Sequence, residues 1–331
     1  MTGSYFAALL AIILYLLLLC LRFQQGGWEP KFDLFVSQRQ ALDQKINQFL
    51  PSPQAELLSG ILLGESKNLP GRLKLALRDT STLHIVVASG QNLSMVAGFF
   101  LALSGLIKRK NAVALSLGAA IFYTILTGLQ VPILRAAIMF SLASLAQLFG
   151  RERDGAWVLV VTAALMLLIN PGWITSISFQ LSVLATFGVI VVAPILLKYL
   201  DKVPVIGSDL AVSLAAQIMV TPIIAQNFHQ FSLVGLVTNV LILWTVSFIM
   251  ILGMVMSMVG FFWSGLAWLI ALAVSAFLTY FIYIVQFFAS FSFAWIYVGQ
   301  YLWIVWLGYY LVIAAVMLSL IYAKKENPGR P

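Results

Sequence analysis

Apolar positions run almost unbroken through most of this chain, interrupted by Gly, Pro, Asn and small groups of charges. A helical membrane crossing takes about 20 apolar residues. Runs of that kind cover 4–21, 82–107, 112–129, 132–149, 156–169, 173–197, 209–228, 233–259, 266–288 and 301–322, ten in all. The run 156–169 is short, and 233–259 is long enough to tilt or break. The first run has neither a basic n-region nor a small-x-small cleavage site, so it is expected to stay as an anchor. Between 22 and 81 the pattern changes. Phe35, Leu42, Ile46 and Phe49 share one face at helical spacing, which predicts an amphipathic helix over 35–50, ended by Pro51 and Pro53. Two further short helices, 55–63 and 73–83, are expected near the membrane surface. Within 82–107, Ser89 and Gly90 predict a break.

Composition sharpens this picture. The chain is 62% hydrophobic and 9% charged, too little charge for the surface of a water-soluble domain. From 210 to 323 there is no Lys, Arg, Asp or Glu at all. The fold class is therefore all-α, a polytopic integral membrane protein with about ten transmembrane helices. It divides into an anchor (1–21), an extracytoplasmic segment of amphipathic helices (22–81), a transmembrane domain (82–323) and a tail (324–331). Basic residues sort by side. Lys108, Arg109, Lys110, Arg151, Arg153, Lys198, Lys202, Lys324, Lys325 and Arg330 fall in alternate connections, and the connections between them hold no Lys or Arg. The positive-inside rule then places both termini in the cytoplasm and 22–81 outside, despite the eight basic residues of that long segment.

Candidate chemistry is sparse. One cysteine, Cys20, and two histidines, His84 and His229, leave no thiolate cluster or zinc spacing, and no P-loop is present. No metal, cofactor or enzymatic activity is expected. Arg135 is the only charge between Asn111 and Gly150. An arginine at that depth costs about 2.5–3.5 kcal/mol, so it either snorkels or has a function. The run from His84 through Ser89, Gly90, Gln91 and Asn92 to Ser94 invites an unwound helix whose free N–H groups attract an anion. The alternative is a small-residue packing face. Ser178, Ser182 and Thr186 recur at i+4, as do Ser213, Gln217 and Thr221. Such stripes line hydrated paths or make interhelical hydrogen bonds, and spacing alone favours the bonds.

Six short motifs, in order over 50–222, carry a resemblance. They are Glu56-Leu-Leu-Ser-Gly-Ile-Leu-Leu-Gly-Glu65, His84 followed by Ser89-Gly90, Arg135-Ala136, Gly150-Arg151, Asn170-Pro171, and Phe179-Gln180-Leu181-Ser182 with Ala185-Thr186. Together they resemble the membrane domain of ComEC-type DNA-uptake channels. Gln91-Asn92 stands where many members have a Leu-His-like pair. The metallo-β-lactamase motif HxHxDH of longer members is absent from this sequence, and 22–81 is too short for their external OB-like domain. The resemblance implies a channel that passes single-stranded DNA across the cytoplasmic membrane during natural transformation. Under it, Arg72, Lys74 and Arg78 collect the strand outside. His84, Ser89, Gly90, Asn92 and Arg135 meet phosphates in the membrane, while Gln180, Ser182, Thr186 and Gln217 line the path. The implied partners are single-stranded DNA, membrane lipids, and a separate DNA receptor, nuclease and cytoplasmic translocase. Two other functions stay open: a transporter or flippase for another anionic substrate, and a non-transporting scaffold on the same fold.

Overall fold

The structure, a computed structural model, describes residues 2–26, 34–86, 89–149, 154–200, 207–299 and 303–326. The expected cytoplasmic residues Arg151, Arg153, Lys202 and Arg330, and the Gly150-Arg151 motif, lie outside the described residues. The architecture is all-α, as the apolar pattern requires of a chain whose backbone must satisfy its own hydrogen bonds in hydrocarbon.

In chain order the helices are α1 (Thr2–Gln25), α2 (Val36–Phe49), α3 (Gln54–Leu63), α4 (Gly71–Asp79), α5 (Leu83–Val86), α6 (Gly90–Ala102), α7 (Arg109–Leu126) and α8 (Val131–Leu148). They continue with α9 (Gly155–Ile169), α10 (Ile177–Phe187), α11 (Ala193–Leu200), α12 (Gly207–Phe228), α13 (Gly235–Val259), α14 (Ser264–Ala289) and α15 (Trp303–Glu326). A π-helical turn, Gly188–Val192, joins α10 to α11 in one continuous rod.

Among the described residues, five helices are long and apolar enough to cross a membrane: α8, the α10–α11 rod, α12, α13 and α14. Apolar segments of α1, α9 and α15 are shorter. The run 233–259, long enough to break, is one unbroken helix. The run 82–107 does break, since α6 starts afresh at Gly90. The run expected from 173 starts later. Asn170 accepts the N–H of Gly172 at 2.9 Å, closing a 3-10 turn (Pro171–Thr175) ahead of α10.

Three cores hold the helices together. The largest joins α2–α8 to the α13–α14 hairpin through Ile46, Leu57, Ile61, Leu77, Leu93, Ile249 and Phe281. A second joins the α10–α12 region to α15 through Val192, Ala215, Met219 and Tyr310. A third packs Met166, Trp173 and Phe179 against α8. Gly188 lets α10 and α12 touch, because a Cβ there would stand 2.6 Å from the Ala215 carbonyl oxygen. Meanwhile Leu269 and Leu272 of α14 point outward, two-thirds exposed, as suits an apolar solvent.

The helix expected over 55–63 is α3, and eight of its ten residues are buried against other helices. It packs against α2, α13 and α14, with Leu58 filling the space beside Gly253. Its own sequence explains this, because Leu57, Leu58, Ile61, Leu62 and Leu63 surround the helix instead of lining one face. A short antiparallel ribbon, β1 (Gln230–Ser232) with β2 (Trp295–Tyr297), ties the start of α13 to the end of α14 and was not expected.

Candidate functional site

A buried helix that ends inside the protein leaves carbonyls in need of donors, and the site begins at such an end. α3 stops at Gly64, which takes the left-handed conformation (φ 76°) that glycine tolerates. Its last carbonyls find donors from three other segments. Asn92 Nδ2 donates to Ile61 at 2.8 Å, the Tyr123 hydroxyl to Leu62 at 3.1 Å, and Gln130 Nε2 to Gly64 at 3.2 Å. The Leu-Leu-Gly-Glu stretch is thus the point where α6, α7 and the entry to α8 are pinned.

Asn92 also builds the break. Ser89 precedes α6, and its Oγ accepts the Asn92 N–H at 3.4 Å while donating to Asn92 Oδ1 at 3.0 Å. The hydroxyl thus caps the start of α6 and, through its own bond to Oδ1, holds the Asn92 amide in place. A serine here therefore starts a helix, and the polar group at its third position fixes the helix to α3.

Arg135 lies against this start. It sits in the first turns of α8, just after Pro132, and is 9% exposed. Its Nε donates to Ser182 Oγ at 2.7 Å; its Nη1 donates to Thr186 Oγ1 and to Met139 Sδ, the latter at 3.7 Å. Thr186 in turn donates to the Ser182 carbonyl at 2.9 Å. Its Nη2 faces Gly90, where a Cβ would stand 3.0 Å from it and 3.1 Å from Ala136 Cβ. Every hydrogen-bond partner of the guanidinium among the described residues is neutral. Nη2 thus faces the first residue of α6, a helix end whose dipole is also positive. A cation packed against a positive helix end, with no carboxylate among its described partners, leaves two positive groups whose repulsion a nearby anion would relieve.

The structure thus joins Ser89, Gly90, Asn92, Arg135, Ser182 and Thr186, residues that stand far apart in sequence. The others stand elsewhere. Arg72, Lys74 and Arg78 are exposed on α4, whose Leu73, Ala76 and Leu77 face the core, and Arg78 Nε lies 3.3 Å from Asp79 Oδ1. His84 is exposed, with Nδ1 bonded to the Ser81 carbonyl at 2.8 Å. Gln180 turns back to the Ile174 carbonyl at 2.8 Å. The Gln217 carbonyl accepts the Thr221 hydroxyl, and beside it Tyr309 and Tyr310 of α15 donate to Ile218 and Met219. No hydrogen bond among the described residues links Gln217 to the Arg135 group. The α10 stripe therefore serves α8, whereas the α12 stripe adjoins α15. Met139 and Tyr123 belong to the site and were missed. Met139 could have been found, since it stands at i+4 from Arg135 on the same face. Among the described residues, no group of three or more His, Cys, Asp or Glu side chains could hold a metal ion.

Comparison with known proteins adds the context. ComE operon protein 3 of Bacillus subtilis (strain 168) is 27% identical over 197 residues, covering 59% of this chain and 25% of that protein. YcaI of Escherichia coli (strain K12), described as uncharacterized, is 27% identical over 223 residues, covering 60% of this chain and 28% of that protein. An uncharacterized protein of Aquifex aeolicus (strain VF5) is 35% identical over 133 residues, 40% of this chain and 32% of that protein. The chain thus spans about a quarter to a third of the length of these relatives. No solved structure matches. A family model described as Competence protein matches residues 61–322, from the capped end of α3 to α15. That match takes in the break, Arg135 and the Ser182–Thr186 face alike, and on its extent the chain belongs to the Competence protein family.

Proposed function

We propose that this protein takes part in competence as a path for single-stranded DNA across the cytoplasmic membrane. The observation that carries this reading is Arg135, buried among neutral partners against the N-terminal end of α6. An anionic polymer needs compensating charge inside the membrane, but few strong sites, or it would be trapped. One guanidinium, held by Ser182 and Thr186 beside a helix start, meets that need. The name of the Bacillus subtilis relative, a ComE operon protein, agrees with the family assignment. The protein acts without catalysis in this reading, with both termini in the cytoplasm, and depends on other proteins to deliver and pull the strand.

The test is deletion of the gene followed by addition of fluorescent DNA. The expected result is label held outside the cytoplasm, with entry restored by the wild-type gene. Entry of label at the normal rate in the deletion strain rejects the reading. If label enters normally but an anionic envelope lipid or sugar accumulates on one side, the flippase alternative takes its place.

A further inference from the structure

The ribbon where α13 begins and α14 ends carries an exposed aromatic surface. Gln230 pairs with Tyr297 and Ser232 with Trp295. β1 turns inward, with Gln230 and Ser232 buried. β2 is exposed along its whole length, Tyr297 at 70%. Just ahead of β2, Phe293 is exposed and stacks on Phe291, with ring centroids 5.2 Å apart and planes 6° from parallel. The ring of His229 lies 6.4 Å from that of Tyr297. None of these rings fills one of the three cores.

The ribbon is fastened to a cationic helix. Gln230, the partner of Tyr297, donates from Nε2 to the Arg78 carbonyl at 3.3 Å. At the start of α13, Gly235 sits so close to the end of α4 that a Cβ would stand 3.0 Å from Ser81 Cβ. α4 exposes Arg72, Lys74 and Arg78, and its one acid, Asp79, pairs with Arg78.

Cations along a helix beside free aromatic faces are what single strands bind: phosphates meet the charges and bases stack on the rings. A duplex keeps its base faces covered and gains nothing from the rings. An interfacial aromatic belt would account for Trp295 and Tyr297. Lys and Arg anchor at that interface as well, but such an anchor gives no preference for a base-bearing strand over an abasic one. We infer that α4 and the β1–β2 ribbon form a docking platform for single-stranded nucleic acid, with phosphates on Arg72, Lys74 and Arg78 and bases on Trp295 and Tyr297. This inference rests on the DNA-uptake reading and names where the strand first meets the protein.

The test uses the full chain in lipid nanodiscs and three fluorescent probes: a short oligothymidylate, an abasic strand of equal length, and a duplex. The wild-type protein should bind oligothymidylate about tenfold more tightly than the abasic strand, as loss of base stacking implies. Trp295→Ala with Tyr297→Ala should remove that preference, and Tyr297→Phe should keep it. Phe262→Ala, an exposed ring in the turn at the far end of the α13–α14 hairpin, should change nothing. Equal wild-type affinity for the abasic and base-bearing strands overturns the platform, whether or not the alanine variant folds. Unchanged preference in a folded alanine variant does the same. In both cases salt-sensitive binding of either strand leaves the uptake reading standing, whereas no binding of any probe removes its DNA substrate as well.

Discussion

Arg135 has three ways to be held, and they differ in what a substitution does. A snorkelling side chain would tolerate any polar replacement. The structure instead buries the guanidinium and gives it Ser182, Thr186 and Met139 as partners. If its charge meets phosphate, Arg135→Lys is expected to keep partial uptake of labelled DNA, and Arg135→Gln to abolish it at unchanged protein level. If it only ties α8 to α10, lysine fails as well, because it lacks the planar fork, and the protein level drops. Normal uptake by Arg135→Gln would refute both roles. The partners can be tested separately. Ser182→Ala with Thr186→Val strips bonds from a buried cation and should cost about 1–3 kcal/mol of stability. A thermal melt of the detergent-solubilised protein reads that loss, and an unchanged melt means these bonds do not hold the site together.

At the level of elements, the site depends on how α3 ends. Its terminal carbonyls are satisfied by side chains of three separate segments. Asn92→Leu should therefore leave the Ile61 carbonyl without a donor and loosen the α6 cap in the same step. The expected cost is about 1–3 kcal/mol, read as faster proteolysis between α5 and α6; wild-type resistance would contradict it. The α10–α12 contact makes a sharper contrast. At Gly188 an added methyl meets backbone, the Ala215 carbonyl, whereas at Gly253 it meets the mobile tip of Leu58. Gly188→Ala should lower the melting temperature more than Gly253→Ala, since a side-chain tip can move and a packed helix cannot. The reverse order would mean that the π-turn relaxes the contact. The outline of these helices was legible in the sequence, because apolar periodicity and caps are local signals. The inward position of α3 was signalled by apolar residues on all its faces, but its short length resembled a surface helix.

For the whole molecule, the distribution of basic residues sets an orientation that labelling can test. In a Cys20→Ser background, single cysteines at the exposed positions Gly172 and Phe293 should react with an impermeant thiol reagent in intact cells. Cysteines at Asn111 and Lys198 should react only after lysis. Labelling of the second pair in intact cells would invert the topology, and with it the side on which α4 and the ribbon stand. Purified protein supplied with Mg²⁺, Mn²⁺ or Zn²⁺ should leave single- and double-stranded DNA intact. Metal-dependent cleavage that copurifies with the chain and is lost on mutation of it would show an active centre that the path reading lacks.

Composition and periodicity by themselves determined that this is a helical membrane protein, where most of its helices begin and end, and that Ser89-Gly90 interrupts one of them. These are properties of segments, fixed by burial in hydrocarbon and by backbone hydrogen bonding within a few residues of each position. The ordered motifs also carried the family resemblance, since motif order is a property of the chain. Only the tertiary structure decided which polar residues act together. Arg135 could be recognised as costly, and Ser182 and Thr186 as sharing a face, but nothing local tells a stripe on one helix which neighbour it will meet. That choice follows from packing, from Gly90 admitting the guanidinium and Gly188 admitting α12. The same packing separates the α12 stripe from this group and carries α3 into the core. It also brings the ends of α13 and α14, with their exposed rings, beside the cations of α4.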